Sequence, residues 1–127
     1  MLGKLINKGN TRIVYEYELN PEYVIKVAIG EYGYKSNRYE WSIWSVNSAD
    51  TTQWLVPCIE VFEGYKYLIM ERGIPISDSN DNPHKIINNI PNWLCNDIML
   101  SNWVYHDNKP KLCDYGNINI INRLKLN

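Results

Sequence analysis

Three polar residues in the second half of the sequence have the types and the spacing that phosphoryl transfer requires. Asp97 is followed five residues later by Asn102, and Asp114 is followed two residues later by a glycine. A carboxylate can orient an acceptor hydroxyl, while an amide and a second carboxylate offer the oxygen ligands that hold a hard cation on phosphate oxygens. The pattern is specific only when a lysine on an upstream strand accompanies it, and Lys26 meets this condition.

Each of these residues also has an ordinary structural interpretation. Asp97 is a possible helix N-cap and Asn102 a turn residue. Asp114 and the two residues after it fit a simple turn, and a lone lysine such as Lys26 is usually a solvated residue on a strand face. The order in which these residues occur along the chain favours a functional site.

The elements that must position these residues follow from the pattern of β-branched and aromatic residues. Two hairpins are predicted in the first half, with turns at Asn20-Pro21-Glu22 and at Gly64. Period-two alternation puts Lys26 on one strand face with Val24 and Ala28. The predicted strands are 13–19, 23–29, 54–62, 65–71, 103–105 and 111–113.

Helices are predicted at two places, one of which follows the first hairpin. Residues 35–47 lack Gly and Pro and space their large apolar residues as in an amphipathic helix that begins near Ser36. A shorter helix is predicted over 84–93, where Pro91 limits its length. The order predicts an α+β fold, with an antiparallel sheet of about five strands and one helix inserted after the third.

The hairpin over 103–113 explains how Asn102 and Asp114 come together. Asn102 precedes its first strand and Asp114 follows its second, so antiparallel pairing brings both side chains to the same end of the hairpin. Two oxygen ligands then lie side by side.

Composition excludes several classes of function. The 127 residues carry 13 Lys and Arg against 14 Asp and Glu, so the net charge of -1 indicates neither nucleic acid nor an anionic membrane as partner. The length predicts a single domain, 1–127. No stretch is apolar enough to span a bilayer, and the start lacks a signal-peptide pattern. The three cysteines, Cys58, Cys95 and Cys113, are widely spaced, which predicts reduced thiols and a cytoplasmic location.

Taken together, these motifs resemble the protein-kinase-like superfamily, and the resemblance spans nearly the whole chain. The segment YVIKVA resembles the kinase strand whose lysine, here Lys26, pairs with ATP phosphates and with a helix glutamate, here Glu40. The segment CNDIMLSN resembles the catalytic loop, which implies Asp97 as catalytic base and Asn102 as metal ligand. The segment CDYG resembles D-F-G, which implies that Asp114 is the principal Mg²⁺ ligand.

The resemblance also implies an architecture and a nucleotide site. Residues 1–73 would form a five-stranded N-lobe with an αC-like helix and a hinge, and 74–127 a reduced C-lobe, as in small kinase-like proteins of bacteria and phages. The segment YLIMERG resembles the strand and hinge that bind adenine through backbone groups. The cofactors implied are ATP and Mg²⁺. The residues implied to bind ATP are Gly9, Arg12, Val24, Lys26, Glu40, Met70, Glu71 and Gly73.

The sequence departs from the kinase pattern at several positions. The glycine-rich loop keeps only Gly9, and Arg12 stands where another glycine is expected. Cys95 and Asn96 replace the His and Arg before the catalytic aspartate, and Met99 replaces a lysine after it. Only eleven residues follow Gly116, so the peptide-docking platform of larger kinases is not expected.

Two hypotheses follow for the function. The first is an ATP- and Mg²⁺-dependent miniature phosphotransferase, whose acceptor is the chain itself, a small molecule or a partner protein. The second is a catalytically weak or inactive kinase-like binding protein, for example a phage effector that inhibits a host protein in the host cytoplasm. Both include a protein partner or self-association, because the reduced C-lobe is expected to leave an apolar surface exposed.

Overall fold

The computed structural model describes residues 1–76 and 102–116, and its architecture is α+β. Five antiparallel strands form the first sheet in the order β1-β2-β3-β5-β4, and three shorter strands form a second sheet in the order β6-β7-β8. The strands are β1 (Leu2–Lys8), β2 (Arg12–Tyr17), β3 (Tyr23–Ala28), β4 (Cys58–Phe62), β5 (Tyr67–Glu71), β6 (Ile74–Pro75), β7 (Trp103–His106) and β8 (Lys109–Leu112). The helices are α1 (Gly30–Val46) and α2 (Ala49–Thr52).

The hairpin of β2 and β3 confirms the prediction from the β-branched runs. Val14 is paired with Lys26 across the two strands, and the Oδ1 of Asn20 accepts a hydrogen bond of 2.9 Å from the N–H of Glu22 in the turn. Strand β3 also pairs with β5, which places Lys26 opposite Leu68 and in the middle of the sheet. A lysine in this position is buried.

The first strand, β1, lies at the edge of the sheet and was not located by its sequence pattern. Its pairing with β2 is interrupted by register shifts between Leu2 and Leu5 and between Leu5 and Asn7. Such bulges break the alternation of side chains between the two faces. The apolar residues Leu2, Leu5 and Ile6 are accordingly all exposed.

Helix α1 begins at Gly30, several residues before the predicted start near Ser36. Its buried face consists of Gly33, Asn37, Glu40 and Ile43, and only the last of these is a large apolar residue. A Cβ atom at Gly33 would lie 2.3 Å from the carbonyl oxygen of Thr11, so the glycine allows the first turns of the helix to approach the β1–β2 region closely. Helical propensity alone does not predict this start.

The predicted strand over 54–62 is shorter than expected, because its first residues take part in a different contact. Helix α2 precedes it, and β4 begins only at Cys58. The N–H of Val56 donates to the carbonyl of Leu112 at 2.9 Å, and the N–H of Leu112 donates to the carbonyl of Trp54 at 2.8 Å. These hydrogen bonds join the segment before β4 to β8.

The third predicted hairpin is confirmed as β7 and β8, with a tighter turn than the sequence indicated. Only Asp107 and Asn108 form the turn, both with positive φ (52° and 61°), as in a two-residue turn of type I′. His106 and Lys109, which were predicted to lie in the loop, belong to the strands instead.

One hydrophobic core joins the two sheets and α1. Its members are buried residues of α1, of strands β3, β4, β5, β7 and β8 and of the segments next to them: Val24, Ile43, Leu55, Val56, Cys58, Leu68, Met70, Ile76, Trp103, Val104, Leu112 and Tyr115. Neither helix of the described residues is long and apolar enough to cross a membrane. Among the described residues, Cys58 and Cys113 are not joined by a disulfide, and Cys95 lies outside them.

Candidate functional site

The ion pair between Lys26 and Glu40 lies at the centre of the site. The Nζ of Lys26 on β3 is 2.5 Å from the Oε1 of Glu40 on α1, and both side chains are buried. The same Nζ donates a hydrogen bond to the carbonyl oxygen of Cys113. An ammonium group has three donors, and the described residues 1–76 and 102–116 supply acceptors for two of them, Glu40 and the carbonyl of Cys113.

Arg12, at the start of β2, makes a second set of polar contacts, which shares Glu40 with the first. Its Nη2 lies 2.8 Å from the Oε2 of Glu40 and 2.6 Å from the Oδ1 of Asp114, and its Nη1 donates to the Oδ1 of Asn37 at 3.1 Å. Burial by itself lowers the pKa of Arg12, but the charge and hydrogen bond of Glu40 and the charge of Asp114 raise it above its ordinary value. Arg12 is therefore a permanent cation.

Glu40 accepts hydrogen bonds from two backbone groups in addition to the two cations. The N–H groups of Tyr115 and Gly116 donate to its Oε2 at 3.2 and 2.8 Å. Burial raises the pKa of Glu40, yet attraction to Arg12 and Lys26 and the hydrogen bonds from them lower it to about 2. The carboxylate stays ionised although the residue is fully buried, and it joins α1 to the segment after β8.

Asn37 is a member of the site that the sequence did not indicate. It is fully buried, it accepts from Arg12, and its Nδ2 donates to the carbonyl of Tyr65 at 2.8 Å. The one available signal was its position three residues before Glu40, which puts both side chains on the same helix face. Its contacts hold the guanidinium group of Arg12 in place.

Asn102 and Asp114 lie at the same end of the β7–β8 hairpin, as the sequence predicted. The N–H of Cys113 donates to the carbonyl of Asn102 at 2.8 Å, which fixes the two ends side by side. The side chain of Asp114 is 50% exposed, whereas its partner Arg12 is buried. Within 1–76 and 102–116, no group of three or more His, Cys, Asp or Glu residues is arranged to hold a metal ion.

A cavity of about 480 Å³ lies between the two sheets and contains most of the predicted site. This volume is within the range of small-molecule sites. Lys26, Arg12, Asn102 and Asp114 line its polar part. The apolar part of the lining consists of side chains from both sheets and the segments next to them: Ile6, Val14, Val24, Met70, Pro75, Ile76, Trp103 and Val104.

The predicted hinge, from Glu71 to Gly73, forms one wall of this cavity, next to the buried Met70. The N–H of Glu71 donates to the carbonyl of Pro57 at 3.0 Å, and the N–H of Arg72 donates to the carbonyl of Glu22 at 2.8 Å. Two of the three N–H groups of this segment thus bind other parts of the protein. A Cβ atom at Gly73 would lie 2.4 Å from the Cγ2 of Val104, so the wall packs closely against β7.

Of the remaining predicted site residues, Gly9 and Val24 are described by the structure and Asp97 is not. Gly9 lines the cavity, and its N–H donates to the carbonyl of Arg12 at 2.9 Å. Val24 lies in the apolar lining. Asp97, the predicted catalytic base, lies outside the described residues, as does the predicted helix over 84–93.

The thiol of Cys113, beside Asp114 in the cavity lining, remains protonated at neutral pH. Burial, the largest cause, raises its pKa to about 11. Burial likewise raises the pKa of Cys58 to about 12. Because the thiolate is the nucleophilic form of cysteine, neither residue has the properties of a catalytic nucleophile.

Comparison of the chain with protein-family models gives no match, and comparison with curated proteins gives no significant match either.

Proposed function

We propose that the chain binds ATP with Mg²⁺ in the cavity between the two sheets and transfers the terminal phosphate to a hydroxyl group, as a small kinase-like phosphotransferase. The observation that carries the proposal is the buried Lys26–Glu40 ion pair, whose lysine lines a cavity together with Asn102 and Asp114. A lysine held by a buried glutamate has a fixed position, and its third N–H, which has no acceptor among the described residues, would donate to a phosphate oxygen.

The residues present fit both parts of the ligand. The apolar lining formed by Val14, Val24 and Met70 suits the face of a purine ring, and the remaining backbone groups of residues 71–73 offer hydrogen bonds to its edge. Asn102 and Asp114 would hold Mg²⁺. This ion usually takes one or two protein oxygens and completes its shell with phosphate oxygens and water, so a two-residue site is sufficient.

The catalytic step is assigned to Asp97 on the sequence motif. A bound Mg²⁺ would neutralise charge on the phosphate oxygens. Asp97 would accept the proton of the acceptor hydroxyl. The hydroxyl oxygen would form a bond to the terminal phosphorus of ATP as the bond between that phosphorus and ADP breaks, and ADP would leave. Lys26 would hold the phosphates in line with the acceptor.

Two measurements test the proposal. Calorimetry with ATP and Mg²⁺ should show saturable one-to-one binding that is weakened by Asp114→Asn. Radiolabelled ATP should then transfer phosphate to the chain or to a component of a cell lysate. Asp97→Asn should abolish this transfer and leave the ATP affinity nearly intact, because a catalytic base would contact the acceptor hydroxyl and not the nucleotide. The absence of any ATP binding would refute the proposal.

A second candidate function is a nucleotide-binding protein without phosphotransferase activity. The observation that favours it is the ion pair between Arg12 and Asp114, which places a fixed cation on the residue expected to bind the metal. In this case ATP binding would persist, and radiolabelled phosphate would not transfer to any acceptor in the presence of Mg²⁺. The same pair of measurements separates the two functions.

A further inference from the structure

Four charged side chains among the described residues of the site form a connected set of ion pairs, in which two cations balance two carboxylates. Lys26 and Arg12 are cations, and Glu40 and Asp114 are carboxylates joined to them by ion pairs of 2.5 to 2.8 Å. Glu40 has both cations as partners. The charge of Asp114 is compensated by Arg12, whose pairing with it spans 102 residues of sequence.

The position of Arg12 is fixed from several sides. Its guanidinium group is held by Asn37 and Glu40, and both of these residues are fully buried. Asn37 is itself hydrogen-bonded to the carbonyl of Tyr65. The Nη2 that contacts Asp114 therefore belongs to a group with little freedom to move, whereas the carboxylate of Asp114 is half exposed.

We infer that Arg12 competes with the divalent cation for the carboxylate of Asp114. This competition sets the cation concentration at which the site is half occupied. This inference rests on the proposed function, since it takes Asp114 as the metal ligand. A cation 2.6 Å from one carboxylate oxygen opposes a second cation on the same group through Coulomb repulsion. Arg12 also occupies an oxygen that the metal would otherwise bind.

The inference is tested by titrating the nucleotide-free chain with Mn²⁺ and recording the paramagnetic broadening of the backbone N–H signals of Cys113 and Asp114. Arg12→Gln removes the charge and keeps an amide that can donate to Glu40. Glu40 also retains Lys26 and the two backbone donors. The control is Arg38→Gln, which makes the same charge change at an exposed position of α1.

We expect Arg12→Gln to lower the Mn²⁺ midpoint by at least about tenfold, because an adjacent guanidinium typically lowers the proton affinity of a carboxylate by this amount or more and repels a divalent cation by the same Coulomb interaction. Arg38→Gln should leave the midpoint unchanged. Adding Asp114→Asn to Arg12→Gln should remove the gain. Equal midpoints in wild type and Arg12→Gln would overturn the inference while leaving the ATP proposal intact.

A measurement on the wild-type chain keeps the inference testable if Arg12→Gln does not fold. The side-chain Nε–H signal of Arg12 should shift as Mg²⁺ is added, because the ion withdraws Asp114 from the guanidinium group. An Arg12 signal that stays fixed while the N–H signal of Asp114 shifts would overturn competition. If neither signal responds at any Mg²⁺ concentration, the inference is overturned, whereas the metal role of Asp114 in the proposed function is tested separately by the effect of Asp114→Asn on ATP binding with Mg²⁺.

Discussion

The backbone N–H of Gly116 donates a hydrogen bond of 2.8 Å to the Oε2 of Glu40, so the segment after β8 is joined directly to the middle of α1. This contact requires glycine. A Cβ atom at position 116 would lie 2.3 Å from the carbonyl oxygen of Ser36 and 2.7 Å from the same Oε2. The helix and the segment are in contact through backbone atoms.

Gly116→Ala should therefore destabilise the protein by about 1 to 3 kcal/mol, the usual cost of inserting a methyl group into a close-packed contact. Urea unfolding followed by circular dichroism measures this change. Gly9→Ala is the matched control, because the nearest atom to its added Cβ would be the carbonyl oxygen of Arg12 at 3.5 Å, an ordinary contact. Equal stability of the two variants would contradict the close approach at Gly116.

The stability of the protein should fall in acid through the protonation of Glu40. Its pKa is about 2 in the folded protein against an ordinary value of 4.5, so the unfolded chain binds more protons between these values. The stabilisation is complete above pH 4.5 and is lost as the pH falls towards 2, by about 3 kcal/mol in total. Urea unfolding at several pH values should show this loss, and the stability difference between wild type and Glu40→Gln should shrink over the same range. A difference that does not change with pH would contradict the ionised state of Glu40.

Lys26→Met should weaken ATP binding by about tenfold or more, because a charge-assisted hydrogen bond to phosphate contributes roughly 1.5 to 3 kcal/mol. Calorimetry measures the loss. Lys35→Met is the control, since Lys35 is on α1, partly exposed, and paired with Glu31. If both variants bind ATP as tightly as wild type, Lys26 has no role in nucleotide binding and serves the packing of β3 against α1.

Asp114→Asn should reduce the affinity for ATP in the presence of Mg²⁺ more than Asn102→Ala does, because a carboxylate offers a full charge to a hard cation and an amide offers only a dipole. With EDTA the two variants should differ little. Asp107→Asn, at the opposite end of the same hairpin, is the control, and asparagine tolerates the positive φ of that position. A larger loss for Asn102→Ala would reverse the assigned roles.

The parts of the fold that could be predicted are those determined by neighbouring residues. The β2–β3 and β7–β8 hairpins follow from apolar runs and turn residues close in sequence. The β7–β8 hairpin brings Asn102 and Asp114 together. The early start of α1 could not be predicted, because residues 30–34 contain two glycines and the helix there is stabilised by tertiary contact at Gly33.

The charged residues of the site were predictable from the sequence, and so was one of their ion pairs, but the pairing of Arg12 was not. Lys26 and Glu40 are paired as the motif indicated. Arg12 was implied to bind ATP, and the structure shows in addition that its guanidinium group is paired with Glu40, Asn37 and Asp114. A long, flexible side chain can bind several acceptors, and the three-dimensional arrangement of the buried acceptors determines which ones it binds. A linear spacing pattern does not contain that information.

The sequence distance between the paired residues also determines when the site can assemble during folding. The hairpins of β2–β3 and β7–β8 close short loops, so they can form early and independently. The pairing of Arg12 with Asp114 spans 102 residues, and that of Gly116 with Glu40 spans 76. Contacts of such high sequence separation form only after the chain entropy of closing the intervening loops has been overcome. We therefore expect the charged cluster to form late, so that a partly folded chain has native hairpins but no assembled site.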